Sequence, residues 1–411
     1  MLSKYDIFLQ KTDYYSELNL VFGNESCDLD SAASAIVYAA FLHWQYDKIK
    51  CKSCPNYNNT GYIKESNVWR RSYWICCKVC TRFNRDEAEY KDCIYLPVLN
   101  VDREDYALKT EVAYCLREAG ITEENLLFRS DINLKELAEK SETKVTLVDH
   151  HILSDRDKFL TPYVTEIIDH RPIDKSQWSY KDDVRTTIEI VGSCCTLVAQ
   201  RIRDLSALVT TEEDFFKEFI VCGDMLHSTI ILDTVNFSKE VDKATPHDLE
   251  ITSFLENVMK LTNVETERNS KLSRFIAARS DISNLTAAQL LRKDVKVLGD
   301  ILVPSFPILV KEFLGRPGAS QAVAEALKKR GCSIALLLGM DLTGALRRDM
   351  AVWSAEKDKI ERPSLDLLAD LLGNKSDNKL EEFRYYTQRN LRASRKQYIP
   401  ALTEYLNVLK K

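Results

Sequence analysis

The sequence predicts an α/β protein of two domains: an N-terminal, mostly parallel sheet flanked by helices, then a smaller C-terminal α/β domain. Short apolar runs alternate with helical stretches through residue 262, and strands interleaved with helices pair in parallel. A charge-rich stretch without a strong apolar face, 263–284, then precedes ~125 residues with strand and helix signals of their own, enough for a second core. The length of 411 residues also calls for two cores rather than one.

Residues 18–22 form the first apolar run, closed by Gly23, and Asp30-Ser31 is placed to cap an apolar helix reaching about Trp44. Further strands are expected at 94–99, 125–128, 145–148 and 164–168. Helices are expected at 106–119, 193–204 and 212–225, another short apolar run at 229–232, and a polar helix over about 248–262. In the second half, helices are expected at 287–295, 321–330, 365–372 and 380–386, with strands at 308–310 and 334–338. The domains therefore read as 1–262, carrying a cysteine-rich insert at about 47–93, then a linker at 263–284, then 285–411.

Composition narrows the function classes. The longest apolar run, 32–42, is about half the ~20 residues that cross a bilayer, so no membrane span is expected. Polar residues from Lys4 to Asp13 leave no room for a signal peptide, and a cytoplasmic protein is expected. A net charge of −5 offers no broad basic field, so nucleic acid is not an expected partner.

Chemistry concentrates where apolar runs end. Asn24, Asp28 and Asp30 follow the first run, Asp149-His150-His151 closes 145–148, Asp169-His170-Arg171 closes 164–168, and Asp233 closes 229–232. Ligands in such sheets bind beyond the carboxyl ends of the strands. Any one of these aspartates could be a plain helix cap or turn residue. Their recurrence at four run ends points instead to cations, because converging carboxylates repel unless neutralised. Oxygen donors with one or two imidazoles suit Mn²⁺ or Mg²⁺ better than Zn²⁺.

The segments 23–30, Leu147-Val148-Asp149-His150-His151, Ile168-Asp169-His170-Arg171-Pro172 and Ile231-Leu232-Asp233 resemble the ordered motifs of the DHH phosphoesterases, which include family II inorganic pyrophosphatases and exopolyphosphatases. Val191-Gly192-Ser193-Cys194 and Lys243-Ala244-Thr245-Pro246 are similar to wordings of its prune branch. The resemblance implies two divalent cations, Mn²⁺ or Mg²⁺, bridged by Asp149 and Asp233, with Asn24 and Asp28 on one and Asp30 and His170 on the other. It implies a metal-activated water as nucleophile. Asp149, Asp233, His170 and Arg171 are then the catalytic group. The wider family has His where this chain has Asn24 and Arg171, so one metal is expected to be held loosely, while Arg171 still offers phosphate a forked cation.

Near the C-terminus, Ser394-Arg395-Lys396-Gln397 followed by Pro400 resembles the family's signature for gripping the distal phosphate, which makes Arg395 and Lys396 substrate ligands; Lys296 resembles a third phosphate-binding position. The active site would then lie in the cleft between the domains. The resemblance implies a two-metal exopolyphosphatase acting on short-chain inorganic polyphosphates, with cyclic-nucleotide phosphodiesterase or a weakly active signalling scaffold as alternatives. It also implies nucleoside diphosphate kinases as partners, met in the family mainly through a C-terminal tail that is short here. The insert lies outside the resemblance. Of the 12 cysteines, Cys51-x-x-Cys54 and Cys77-x-x-Cys80 have the spacing of a structural zinc site, against the alternative of unpaired thiols in a poorly ordered insert.

Overall fold

β1 (Tyr15–Phe22) pairs in parallel with β2 (Asp92–Val98) on one side and β3 (Glu142–Val148) on the other. β4 (Val164–Asp169) and β5 (Arg185–Ile188) complete a five-stranded sheet of order β2-β1-β3-β4-β5, parallel throughout. The computed structural model describes residues 15–52, 92–140, 142–173, 176, 178–341, 346–354, 374–380, 383–391, 398 and 400. The chain divides into two units, Met1–Arg279 and Ser280–Lys411.

Strand alternation gives the first sheet two apolar faces. Leu18, Leu20, Phe22, Leu147 and Ile167 enter one core, shared with α3 (Leu134–Lys140). Val21, Val148 and Ile168 enter the other, under α1 (Leu29–Lys52), α2 (Thr110–Glu118), α4 (Cys194–Val209), α5 (Asp214–Glu218), α6 (Ile220–Asp233), α7 (Pro246–Met259) and α8 (Val264–Ser280). α1 is buried on every side through Phe41, as a core helix must be when apolar all round. Phe41 and Trp44 both meet the Phe215 ring edge-on, and the Trp44 indole donates to Glu218 at 2.9 Å.

Several expected elements differ. The strand at 125–128 is a single bridge between Leu99 and Phe128, because a 3-10 turn at Glu123–Asn125 and another at Arg129–Asp131 bracket it. The helix expected over 106–119 is a 3-10 turn, Arg103–Leu108, followed by α2, and that over 212–225 breaks at Phe219 into α5 and α6. The run 229–232 is the end of α6, since a short apolar run fits a buried helix as well as a strand. Residues 263–280, read as linker, are helix α8, anchored by buried Phe275 and by Lys271, which pairs with Asp224 at 2.5 Å.

The second unit holds α9 (Ala287–Lys293), α10 (Val310–Leu314) and α11 (Ala319–Arg330) beside a six-stranded sheet of order β10-β11-β9-β8-β7-β6. Its strands are β6 (Val295–Leu298), β7 (Ile301–Phe306), β8 (Ile334–Asp341), β9 (Arg347–Ser354), β10 (Asn374–Leu380) and β11 (Phe383–Gln388). Only β7 and β8 pair in parallel. The strand expected at 308–310 is instead the approach to α10, and the helix expected at 380–386 is the β10–β11 hairpin, where Phe383 and Tyr386 are buried. At Gly339 an added Cβ would lie 2.1 Å from Asp349 Oδ1 and 2.5 Å from the Val310 nitrogen. That space is taken by Asp349, whose carboxylate accepts the N–H of Val310 (2.7 Å) and of Lys311 (3.1 Å). The helix expected at 365–372 lies outside the described residues, and among those described no helix is long and apolar enough to cross a membrane.

Phe41 lies under α5 with no solvent contact. Phe41→Ala should cost about 3–5 kcal/mol in a chemical denaturation series.

Candidate metal centre

The loop after β1 is drawn tightly onto α1. A Cβ at Gly23 would stand 2.3 Å from Ser31 Oγ, and that hydroxyl accepts the Asn24 N–H at 2.8 Å. Asp28, not Asp30, caps α1: its Oδ1 accepts the Ser31 N–H at 3.1 Å, and its Oδ2 accepts the Ser26 hydroxyl at 2.9 Å. Asp30 lies in the first turn of α1 and reaches across to the start of α4. There its carboxylate accepts the N–H of Cys194 (2.7 Å) and Cys195 (2.9 Å) and the Ser193 hydroxyl (2.8 Å). A helix N-terminus is a natural seat for an anion. These three donors fix the Asp30 carboxyl group at the start of α4.

Asp149 leaves β3 in the left-handed region (φ 61°) and is 1% exposed. Its Oδ2 accepts the Asn24 side-chain N–H at 2.6 Å, and its Oδ1 stands 3.3 Å from His170 Nε2 and 3.5 Å from an Arg171 guanidinium nitrogen. His170 follows β4. Its Nδ1 donates to the Val191 carbonyl at 3.0 Å, which leaves Nε2 pointing at Asp149 and, 3.8 Å away, Asp30. One ligand atom from each of Asp30, Asp149 and His170 lies within 4.8 Å of the other two.

Asp233 arrives on the C-terminal end of α6 rather than on a strand. Its Oδ2 is buried without a hydrogen-bond partner. Burial and the Asp30 charge hold its carboxyl well above the ordinary range, while Lys243 and Ser193 oppose the shift. An orphaned carboxylate oxygen beside carboxylates and one imidazole fits a hard divalent cation of the Mn²⁺ or Mg²⁺ kind.

Asp169 turns away from this cluster. Its Oδ1 accepts the N–H groups of His170 and Arg171, and its Oδ2 accepts from His151 Nδ1, so it shapes the turn. Burial lowers the pKa of His150, whose Nδ1 lies 2.9 Å from the Val148 carbonyl. Lys296 is an exposed residue of β6 in the second unit. Arg395, Lys396, Cys54, Cys77 and Cys80 lie outside the described residues, and Cys51 is on the last turn of α1. Reading by residue type gave no role to Ser193 and Lys243, although both stand in motifs noted above. Burial raises the thiol pKa of Cys194 and Cys195, so both are uncharged parts of the core.

The family model described as "DHH family, N-terminal domain" matches residues 19–222, and that described as "DHHA2 domain" matches residues 273–405. Among curated proteins, the chain is 31% identical over 281 residues to "Exopolyphosphatase PRUNE1" of Homo sapiens, covering 68% of this chain and 49% of that protein. It is 25% identical over 404 residues to the "Putative exopolyphosphatase" of Schizosaccharomyces pombe, covering 94% of this chain and 90% of that one. The chain thus spans about half the length of the PRUNE1 relatives it matches. Among solved structures, "Methanococcus jannaschii putative family II inorganic pyrophosphatase" is similar over 95% of this chain and 99% of that chain, with 18% identity and a TM-score of 0.44.

Burial, then the Asp30 charge, lifts Asp149 from 3.8 to about 7. For His170, burial works against the imidazolium, but the Asp149 hydrogen bond and the Asp30 charge outweigh it and lift the ring from 6.5 to about 9. Both groups hold protons more tightly folded than unfolded. Their contributions are complete below 3.8 and 6.5 and are lost as pH rises through about 7 and about 9. Chelator-treated protein should therefore fall in Tm across that window, and added Mn²⁺ should restore more Tm at about pH 8 than at about pH 5. A metal-free Tm that rises with pH over the same window would contradict this electrostatic account.

Proposed function

Because this chain belongs to the DHH family, we propose that it is a divalent-cation-dependent hydrolase of phosphoanhydride bonds, acting on short inorganic polyphosphates. The observation that carries the reading is the convergence of Asp30, Asp149 and His170 at the carboxyl edge of a parallel sheet. The names of the relatives supply the substrate class.

Asp30, Asp149 and His170, with Asp233 beside them, would hold the cation. When bound, such an ion supplies Lewis acidity, polarising a phosphoryl oxygen and lowering the pKa of water. The chain's own side chains orient the substrate. Arg171 is half exposed and offers a planar fork of N–H donors that matches phosphate oxygens. Lys243 brings a second positive charge toward Asp233. The Val191 carbonyl takes the Nδ1–H of His170, which leaves Nε2 as the ring nitrogen that would face the cation. Arg395 and Lys396, with Lys296, are assigned by family resemblance to the distal phosphate, where they would act on capture rather than on bond cleavage.

The test is phosphate release from tripolyphosphate and tetrapolyphosphate with Mn²⁺ or Mg²⁺, with cyclic AMP in parallel. Wild type should release phosphate only with the cation, and Asp149→Ala should lower the rate by ~100-fold or more. Lys396→Ala should raise KM with little change in kcat. Turnover of cyclic AMP alone would replace the reading with phosphodiester hydrolysis. Folded, cation-loaded protein that turns over none of these substrates would overturn it.

A further inference from the structure

Asn24 is built as a clamp. Its Oδ1 accepts the backbone N–H of Ser26 at 2.9 Å and of Cys27 at 3.1 Å, together with the Ser26 hydroxyl at 2.7 Å. A backbone N–H can only donate, so the amide atom facing both must be the carbonyl oxygen. The amide nitrogen then has to face the other way. There it donates to Asp149 Oδ2 at 2.6 Å and to the Asp149 backbone carbonyl at 3.2 Å, and the residue is 6% exposed.

This orientation divides the two oxygens of Asp149. Oδ2 is spent on an N–H, and the face that Asn24 turns toward it carries hydrogen, which repels a cation. Oδ1 faces His170 on the side where Asp30 completes the three-ligand cluster. Asp28 caps α1, one oxygen accepting the Ser31 N–H and the other the Ser26 hydroxyl.

Resting on the cation-dependent reading above, we infer that the centre holds one divalent cation, on Asp30, Asp149 and His170, and that Asn24 is a positioning residue that clamps Asp149 where a second ion would otherwise bind. The carboxamide turns its N–H groups, not its oxygen, toward Asp149. Arg171 brings a further positive charge to Oδ1 of Asp149, at 3.5 Å, and its half-exposed fork would also contact substrate.

The test uses the full chain, stripped of metal and titrated with Mn²⁺ alone, read by calorimetry and by electron paramagnetic resonance. Wild type should bind one Mn²⁺ per chain and give the hyperfine spectrum of an isolated ion. Asn24→Ala should keep that stoichiometry and bind ~10–100-fold more weakly, as expected when a group that orients a ligand is removed. Asn24→Asp, nearly the same shape with oxygen in place of the N–H, should admit a second Mn²⁺ and give an exchange-coupled spectrum. That variant keeps the inference testable if Asn24→Ala does not fold. Two Mn²⁺ per wild-type chain with an exchange-coupled spectrum would overturn the inference and leave the hydrolase reading standing. A single ion in Asn24→Asp would overturn the role given to the N–H, and unchanged affinity in Asn24→Ala would overturn the clamp. Folded wild type that binds no Mn²⁺ would overturn both the inference and the reading beneath it.

Discussion

Like charge confined at one sheet edge is the constraint on which the first unit depends. At an effective dielectric near 20, two unit charges ~4 Å apart repel by about 4 kcal/mol, a sizeable part of a domain's stability. The aspartates therefore stand in a shell of donors that absorbs part of that cost. Asp30 is held by two backbone N–H groups and a hydroxyl at the start of α4. Asp149 is held by Asn24, with His170 and Arg171 on its other oxygen. Asp233 keeps a buried oxygen unmatched, so the shell is incomplete on one side. A buried polar atom without a partner calls for a water or an ion beside it.

The support behind these groups runs through several parts of the chain. Asp248 on α7 accepts the Gly192 N–H at 2.8 Å and the Thr196 hydroxyl at 2.6 Å, which fixes the loop into α4 and with it the donors to Asp30. A Cβ on Gly192 would stand 2.7 Å from Thr234, the neighbour of Asp233, so the two loops pack against each other through that glycine. Asp248 also closes a capping box with Thr245, next to the Lys243-Ala244 pair. One buried carboxylate thus ties together α4, α7 and the turn beyond Asp233. Asp169 does the same for the His170 turn through His151.

How much of this was legible in the sequence depended on how many signals coincided. The strands beneath Asp149 and His170 were readable because an apolar run, a following carboxylate and imidazole, and a family wording all agreed. Asp233 was read at the close of a short apolar run that is the end of α6, since four apolar residues at the end of a buried helix carry no period of their own. The α8 segment was read as linker because two buried residues, Lys271 and Phe275, are too few to show a face in a helix rich in Glu and Arg. Asp30 was read as the cap of α1, which Asp28 provides, for a related reason. Either could cap α1 by position, and only the tertiary approach of α4 shows that Asp30 reaches across to it.

Asn24 shows where composition stops informing chemistry. A carboxamide presents a cation ligand on one edge and a pair of donors on the other, and a half-turn about one bond exchanges them. What selects the edge is the loop that follows. Cys27 adopts a positive φ of 43°, the local turn brings its N–H and that of Ser26 toward Asn24, and the carbonyl oxygen is captured there. That left-handed residue costs conformational energy, as does Asp149 at φ 61°, and the two are joined through the Asn24 side chain. Strain held at both ends of one hydrogen bond is stable only while the loop is pinned to α1, which Gly23 permits by leaving room for Ser31. The ion capacity of the centre is accordingly set by the conformation of residues 23–31 as much as by the identity of its aspartates.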